Sequence, residues 1–167
     1  MNNYDSSGAT GTREITVEGL IPHSPEALWK TLTVPELIAQ WLMPNDFKAL
    51  TGKRFTFKTR PMQGWDGVVQ CEVLELIPRE KLVYSWRGGP AEAVLDSIVA
   101  WTLTPAAGGT HLKMVHAGFR SPQNDFAYNT MSPGWSRIMD RIGTITAGRA
   151  WLRNSQFRRR RGGGACS

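Results

Sequence analysis

The stretch VLDSIVAWTLTPAAGGTHLKMVHA, residues 94–117, decides the fold. Apolar and polar side chains alternate along 94–103 and again along 110–117, the period of strands with one buried face. Between them, Pro105-Ala-Ala-Gly-Gly has the composition of a hairpin turn. Parity then assigns faces. Val99, Trp101 and Leu103 point one way and Asp96 the other, while Leu112, Met114 and His116 share the inward face of the second strand.

Upstream the pattern repeats. Residues 82–86 carry Leu82, Tyr84 and Trp86 on one parity, 68–77 forms another strand, and 54–58 alternates around Phe55 and Phe57. Consecutive strands joined by short turns predict an antiparallel sheet. Residues 13–21 alternate as well and supply a first strand. Ser24-Pro25 starts a helix, with Ser as the cap and Pro at a position that needs no N–H. A second helix starts at Pro35-Glu36, with Leu37, Ile38, Trp41 and Leu42 at helical spacing. Val34 is a poor cap, so this helix should be short and dependent on packing. Downstream, Ser132-Pro133 repeats the cap-plus-proline signal, and Trp135, Ile138, Met139, Ile142 and Ile145 line one face of a long helix over 132–152. Trp151 and Leu152 extend that face, and Gly143 and Gly148 weaken the helix by about 1 kcal/mol each. A sheet with one apolar face must cover it, and the terminal helix is long enough to do so. The expected fold is α+β: a curved antiparallel sheet wrapped around a long terminal helix, with two short helices at one end.

The net charge of +6 first suggests a nucleic-acid partner. The excess is local, however. Residues 1–148 hold 14 basic and 14 acidic groups, while Arg149, Arg153 and the run 158–161 carry the surplus. A neutral body makes nucleic acid an unexpected partner except through that tail. A hydrophobic fraction of 41% supports a real core, so 13–155 is expected to be one domain, between a flexible leader (1–12) and a disordered basic tail (156–167). Cys71 and Cys166 make no disulfide framework and no Cys-x-x-Cys pair. The polar start offers no signal peptide, and no apolar run reaches the roughly 18 residues of a membrane span, so a cytoplasmic location is expected.

Catalytic motifs are mostly missing: there is no Gly-x-Ser-x-Gly, no His-Glu-x-x-His, no phosphate loop and no Gly-x-Gly-x-x-Gly. His111 and His116 are five apart on one strand and so face opposite ways, which excludes a shared metal; no metal and no cofactor is expected. The residues facing the space between sheet and helix are the candidate cavity. They are Trp41 from the second short helix; Phe55, Phe57, Val69, Cys71, Tyr84 and Trp86 from the first strands; Val99, Trp101, Met114 and His116 from the hairpin; and Trp135 and Met139 from the terminal helix. Aromatics at these spacings either stack on a flat ligand or simply fill a core. Cys71, beside Val69 and Val73, reads as an inert buried thiol. His116 either orients a ligand or shifts a proton near neutral pH, or it is a buried histidine bonded to backbone or to Trp135.

Several segments together resemble a known family: Ser24-Pro-Glu-Ala-Leu-Trp, Pro35-Glu-Leu-Ile-Ala-Gln-Trp, Gly67-Val-Val, Lys81-Leu-Val-Tyr-Ser-Trp, Gly109-Thr-His-Leu, His116-Ala-Gly-Phe and Gly134-Trp. In order and spacing, over about residues 13–152, they are similar to bacterial domains related to the carboxy-terminal domain of the heat-shock-protein-90 ATPase activator. That family belongs to the START-like (SRPBCC) superfamily and implies the helix-grip fold. Val34 stands where the family often has a capping Asp, and the arginine tail has no family counterpart. The resemblance implies a domain that binds a small hydrophobic molecule by apolar burial, at roughly 25 cal/mol per Å², with His116 or Tyr84 orienting the ligand. Two alternatives stand beside it: a cyclase- or hydrolase-type enzyme using an inward His116, and a co-chaperone-like interaction domain. The eukaryotic activator's amino-terminal domain has no counterpart in these residues, so what transfers is the fold. Neither ligand identity nor oligomeric state is written in the sequence.

Overall fold

The computed structural model describes residues 11–161, with side chains described through residue 148. The expected leader, apart from the start of the first strand, and Cys166 therefore lie outside the described residues, as do the side chains of Trp151 and Leu152, which carry the expected apolar extension, and those of the tail arginines. The elements run β1 (Thr12–Ile21), α1 (Pro25–Thr33), α2 (Pro35–Trp41), β2 (Arg54–Lys58), β3 (Val68–Ile77), β4 (Lys81–Gly88), a 3-10 turn (Ala91–Ala93), β5 (Leu95–Ala106), β6 (Gly109–Arg120) and α3 (Asp125–Arg161). The six strands form one antiparallel sheet in the order β1-β6-β5-β4-β3-β2.

Register carries the inward face across the sheet. Ile15 pairs with His116, His116 with Val99 and Val99 with Tyr84, and the row ends at Val73 on β3. All five are buried. Leu74 follows Val73 on the outward face at 41% exposure, and a bulge between Val73 and Glu75 then shifts the alternation on β3 so that Leu76 stands opposite buried Leu82.

At one end α1 and α2 close the sheet. The Ser24 hydroxyl accepts from Ala27 N–H at 3.2 Å, the cap that the sequence calls for. Val34 offers α2 no side-chain cap, and α2 is held instead through its last residue: Trp41 Nε1 donates to the Thr31 carbonyl at 2.8 Å. Thr31 also bonds the Thr146 hydroxyl of α3 at 2.9 Å, so one buried polar pair joins the helices.

The terminal helix departs from expectation at its start. It begins at Asp125 rather than 132, and Pro133 lies inside it. Proline removes one N–H from the ladder, and here the helix continues through that gap. Trp135, Met139, Ile142 and Thr146 face the sheet and α1 and are buried. The far end is helical as far as the described residues reach, to Arg161, past 152. No described helix is long and apolar enough to cross a membrane.

Candidate functional site

Two regions of the domain bear on function, and they differ in kind. The first is the interior, where most of the expected cavity residues lie. Trp41, Phe55, Phe57, Cys71, Tyr84, Val99, Trp101, Met114, His116, Trp135 and Met139 are all buried in one core cluster. Their rings pack on one another, largely edge to face: Trp41 on Trp101 at 5.5 Å between centroids, Trp101 on Trp135 at 5.9 Å, and Phe55 on Tyr84 at 5.4 Å. Such arrangements are the favoured geometry of aromatic pairs.

Several polar groups inside this core pair with one another. Trp135 Nε1 donates to His116 Nδ1 at 3.1 Å. An indole N–H can only donate, so Nδ1 carries the lone pair and the proton sits on Nε2. Nε2 then donates to Ser97 Oγ at 2.8 Å, and the Ser97 hydroxyl donates to the Trp86 carbonyl at 3.0 Å. Every member of this chain is satisfied. Burial pushes the imidazole down to about 3, so it is neutral at physiological pH. The Tyr84 hydroxyl accepts from Trp101 Nε1 at 3.1 Å, and desolvation raises both Tyr84 and the Cys71 thiol, which stay protonated. His111 lies on the opposite face, 3.8 Å from the Glu18 carboxylate, as its parity requires.

The second region is a pocket of about 550 Å³ at the end of the sheet away from the strand ends that α1 caps. Its floor is Val69, Trp86 and Leu95, all buried. Half-buried Met43, Trp65, Ala127 and Met131 make the walls. At the rim stand exposed Met62 and Phe126, with the polar side chains of Thr59, Gln63, Gln123 and Thr130. Of the expected cavity residues, Val69 and Trp86 line this pocket.

Three local structures build it. In the β2–β3 connection, Met62 and Trp65 exchange backbone hydrogen bonds of 3.0 Å around Gly64, whose φ of 81° suits glycine. Trp65 Nε1 then donates to the Val68 carbonyl at 3.1 Å, which fixes the indole against Gly88. A Cβ at Gly88 would stand 3.2 Å from Trp65 Cζ2. The third piece is the start of α3, where buried Asn124 donates to the carbonyls of Ala93 and Val94 at 3.3 and 3.2 Å and accepts from Arg120 N–H at 3.0 Å. One amide therefore ties the β4–β5 connection to the helix, two walls of the pocket. Arg13 secures the same helix start, 2.5 Å from the Asp125 carboxylate and with its guanidinium 4.0 Å from the centre of the Tyr128 ring.

Sequence reading missed most of this lining because it placed the residues in turns or ahead of the helix. Phe126, Ala127, Thr130 and Met131 form one stripe of a helix that the Ser132-Pro133 signal places about two turns too late. The available signal was that stripe itself, with large apolar residues at 126 and 131.

The model of the family described as Activator of Hsp90 ATPase homolog 1-like protein matches residues 22–147. The chain belongs to that family. Solved structures agree with the assignment. Protein MLL2253 of Mesorhizobium loti is 41% identical over 80% of this chain and 96% of its own, with a TM-score of 0.72. Two more distant structures show the same fold. Protein BH1534 of Bacillus halodurans has 23% identity and a TM-score of 0.66, over 80% of this chain and 96% of its own. Mll3558 of Rhizobium loti has 17% identity and a TM-score of 0.71, over 81% and 98%. No curated protein matches the chain. The Activator of Hsp90 ATPase homolog 1-like domain thus has the START-like helix-grip architecture, α+β with a curved sheet and a long terminal helix, a fold that supports ligand binding or cyclase-like chemistry in general terms. In this member the matched residues include the floor and walls of the pocket as well as the His116 chain.

Proposed function

We propose that this domain binds a small apolar molecule, and that it does so in the pocket between the β2–β3 connection, the β4–β5 connection and the start of α3. The observation that carries the reading is the gradient of the lining, from a buried apolar floor at Val69, Trp86 and Leu95 to a polar rim at Gln63, Gln123 and Thr130. A concave, mostly apolar site of about 550 Å³ with a few polar groups is the usual form of a small-molecule site. Met43, Met62 and Met131 add flexible thioethers that adjust to a ligand's shape.

The enzymatic alternative needs a free acid or base beside a ligand. His116 spends both ring nitrogens on Trp135 and Ser97, which favours a structural histidine over a catalytic one. Cys71, a free buried thiol, suits a reducing compartment, and a cytoplasmic location is part of this reading.

The neutral dye N-phenyl-1-naphthylamine tests it. Its fluorescence should rise saturably with one site per chain, and Ala127→Trp, which fills the wall, should abolish the rise while thermal stability is kept. A rise that survives Ala127→Trp unchanged, or no rise in the parent chain, removes this pocket as the binding site.

A further inference from the structure

We propose that the molecule taken by this pocket is electrically neutral, its polar end a hydroxyl or carbonyl rather than a carboxylate, phosphate or ammonium group. The proposal rests on the reading that the pocket binds a ligand. Charged residues make up 20% of the chain, yet among the described residues lining the pocket there is no Asp, Glu, Lys, Arg or His.

Charged residues do flank the lining in sequence, and the fold pairs several of them away from it. Arg87, next to Gly88, pairs with Asp96 at 3.2 Å, and Asp96 itself adjoins Leu95. Asp125, next to Phe126, is held by Arg13 at 2.5 Å and by the Ser121 hydroxyl at 2.9 Å. The Asp66 carboxylate, next to Trp65, accepts the Val68 N–H at 3.0 Å. Lys58, Arg60 and Glu92 are exposed and outside the lining.

What remains at the rim are two primary amides and two hydroxyls, groups that both donate and accept and so match a neutral hydroxyl or carbonyl. An ionic end would lose part of its hydration at this mouth and find no counter-charge, a cost that a neutral group escapes.

The test is a matched series on the full chain at neutral pH: 1-octanol, methyl octanoate, octanoate and octylammonium. Backbone amide NMR shifts at Gly88, Gly89 and Ala127 report the site. The alcohol and the ester should bind about tenfold more tightly than either ion, equivalent to about 1.4 kcal/mol. Thr130→Lys puts a cation at an exposed rim position and should tighten octanoate about fivefold while leaving octylammonium no better. Octanoate or octylammonium binding the parent chain as tightly as octanol overturns the proposal and leaves the pocket standing. If none of the four shifts those amides, the pocket reading itself fails, and this proposal with it.

Discussion

Trp135 donates its indole N–H to Nδ1 of His116 at 3.1 Å, and that single bond fixes the tautomer at the centre of the domain. Because the donor cannot reverse, His116 must donate from Nε2 to Ser97, and Ser97 in turn to the Trp86 carbonyl. The chain crosses from α3 through β6 and β5 to β4. It joins the helix to the sheet by a polar thread inside an aromatic core, and a proton added to Nδ1 would cut the thread at its first bond.

Stability should therefore depend on pH through His116. The unfolded chain binds this proton near 6.5 and the folded chain only near 3, so the full contribution is present above about 6.5 and is lost as pH falls toward 3. Between pH 7 and pH 5 the loss should be about 2 kcal/mol. His116→Gln should cost about 1–3 kcal/mol at pH 7 and lack this slope. Urea unfolding of both proteins at the two pH values checks it, and equal losses in both would remove His116 as the cause.

Much of this architecture was legible in the sequence, because alternation and capping are local signals. The hairpin around Pro105 and Gly109, the caps at Ser24 and Val34, and the inward parity of Trp101, Met114 and His116 all reappear in the structure. Two things were not local. Whether inward aromatics fill a core or line a cavity depends on how closely the sheet and α3 approach, and no spacing records that distance. The start of α3 depends on Asn124 and Arg13, contacts separated by 31 and 112 positions from their partners Ala93 and Asp125, which override the Ser132-Pro133 signal.

Methionine substitutions separate core from pocket. Met114 is buried against the Trp101 strand pair, and Met114→Trp should cost about 1–3 kcal/mol by overpacking and lower the melting temperature. Met131 stands half-buried in the pocket wall, and Met131→Trp should leave the melting temperature within about 1–2 °C, the shift of a few tenths of a kcal/mol, while blocking the neutral dye. Differential scanning calorimetry and dye titration on the pair give the answer. A stable Met114→Trp protein would mean that the interior has room for a ligand after all.

Asn124 should matter to both stability and binding. Asn124→Ala leaves the carbonyls of Ala93 and Val94 without their side-chain donor and the Arg120 N–H without its acceptor, which should cost about 1–3 kcal/mol. Amide hydrogen exchange should rise at 91–95 and at the first turns of α3, the two walls it joins, more than in β1. Uniform acceleration across the sheet would point instead to a general loss of stability.

The last prediction concerns Gly88, which is conformationally ordinary and sterically constrained. Its φ is not in the left-handed region, so a side chain there strains no backbone angle. The obstacle is space, since a Cβ would lie 3.2 Å from Trp65 Cζ2 and 3.4 Å from the Val68 carbonyl oxygen. The indole is the freer of these two neighbours, because Val68 belongs to a strand and Trp65 to a connection. Gly88→Val should therefore push the Trp65 ring away from its wall and stretch its 3.1 Å bond to Val68. The global cost should stay near 1 kcal/mol, that of one lost hydrogen bond, whereas dye affinity should fall about tenfold as the wall opens. Trp65→Phe in the Gly88→Val background relieves the crowding and should recover part of the affinity. If Gly88→Val unfolds the domain, or binds as well as the parent, Trp65 does not form the wall that the pocket requires.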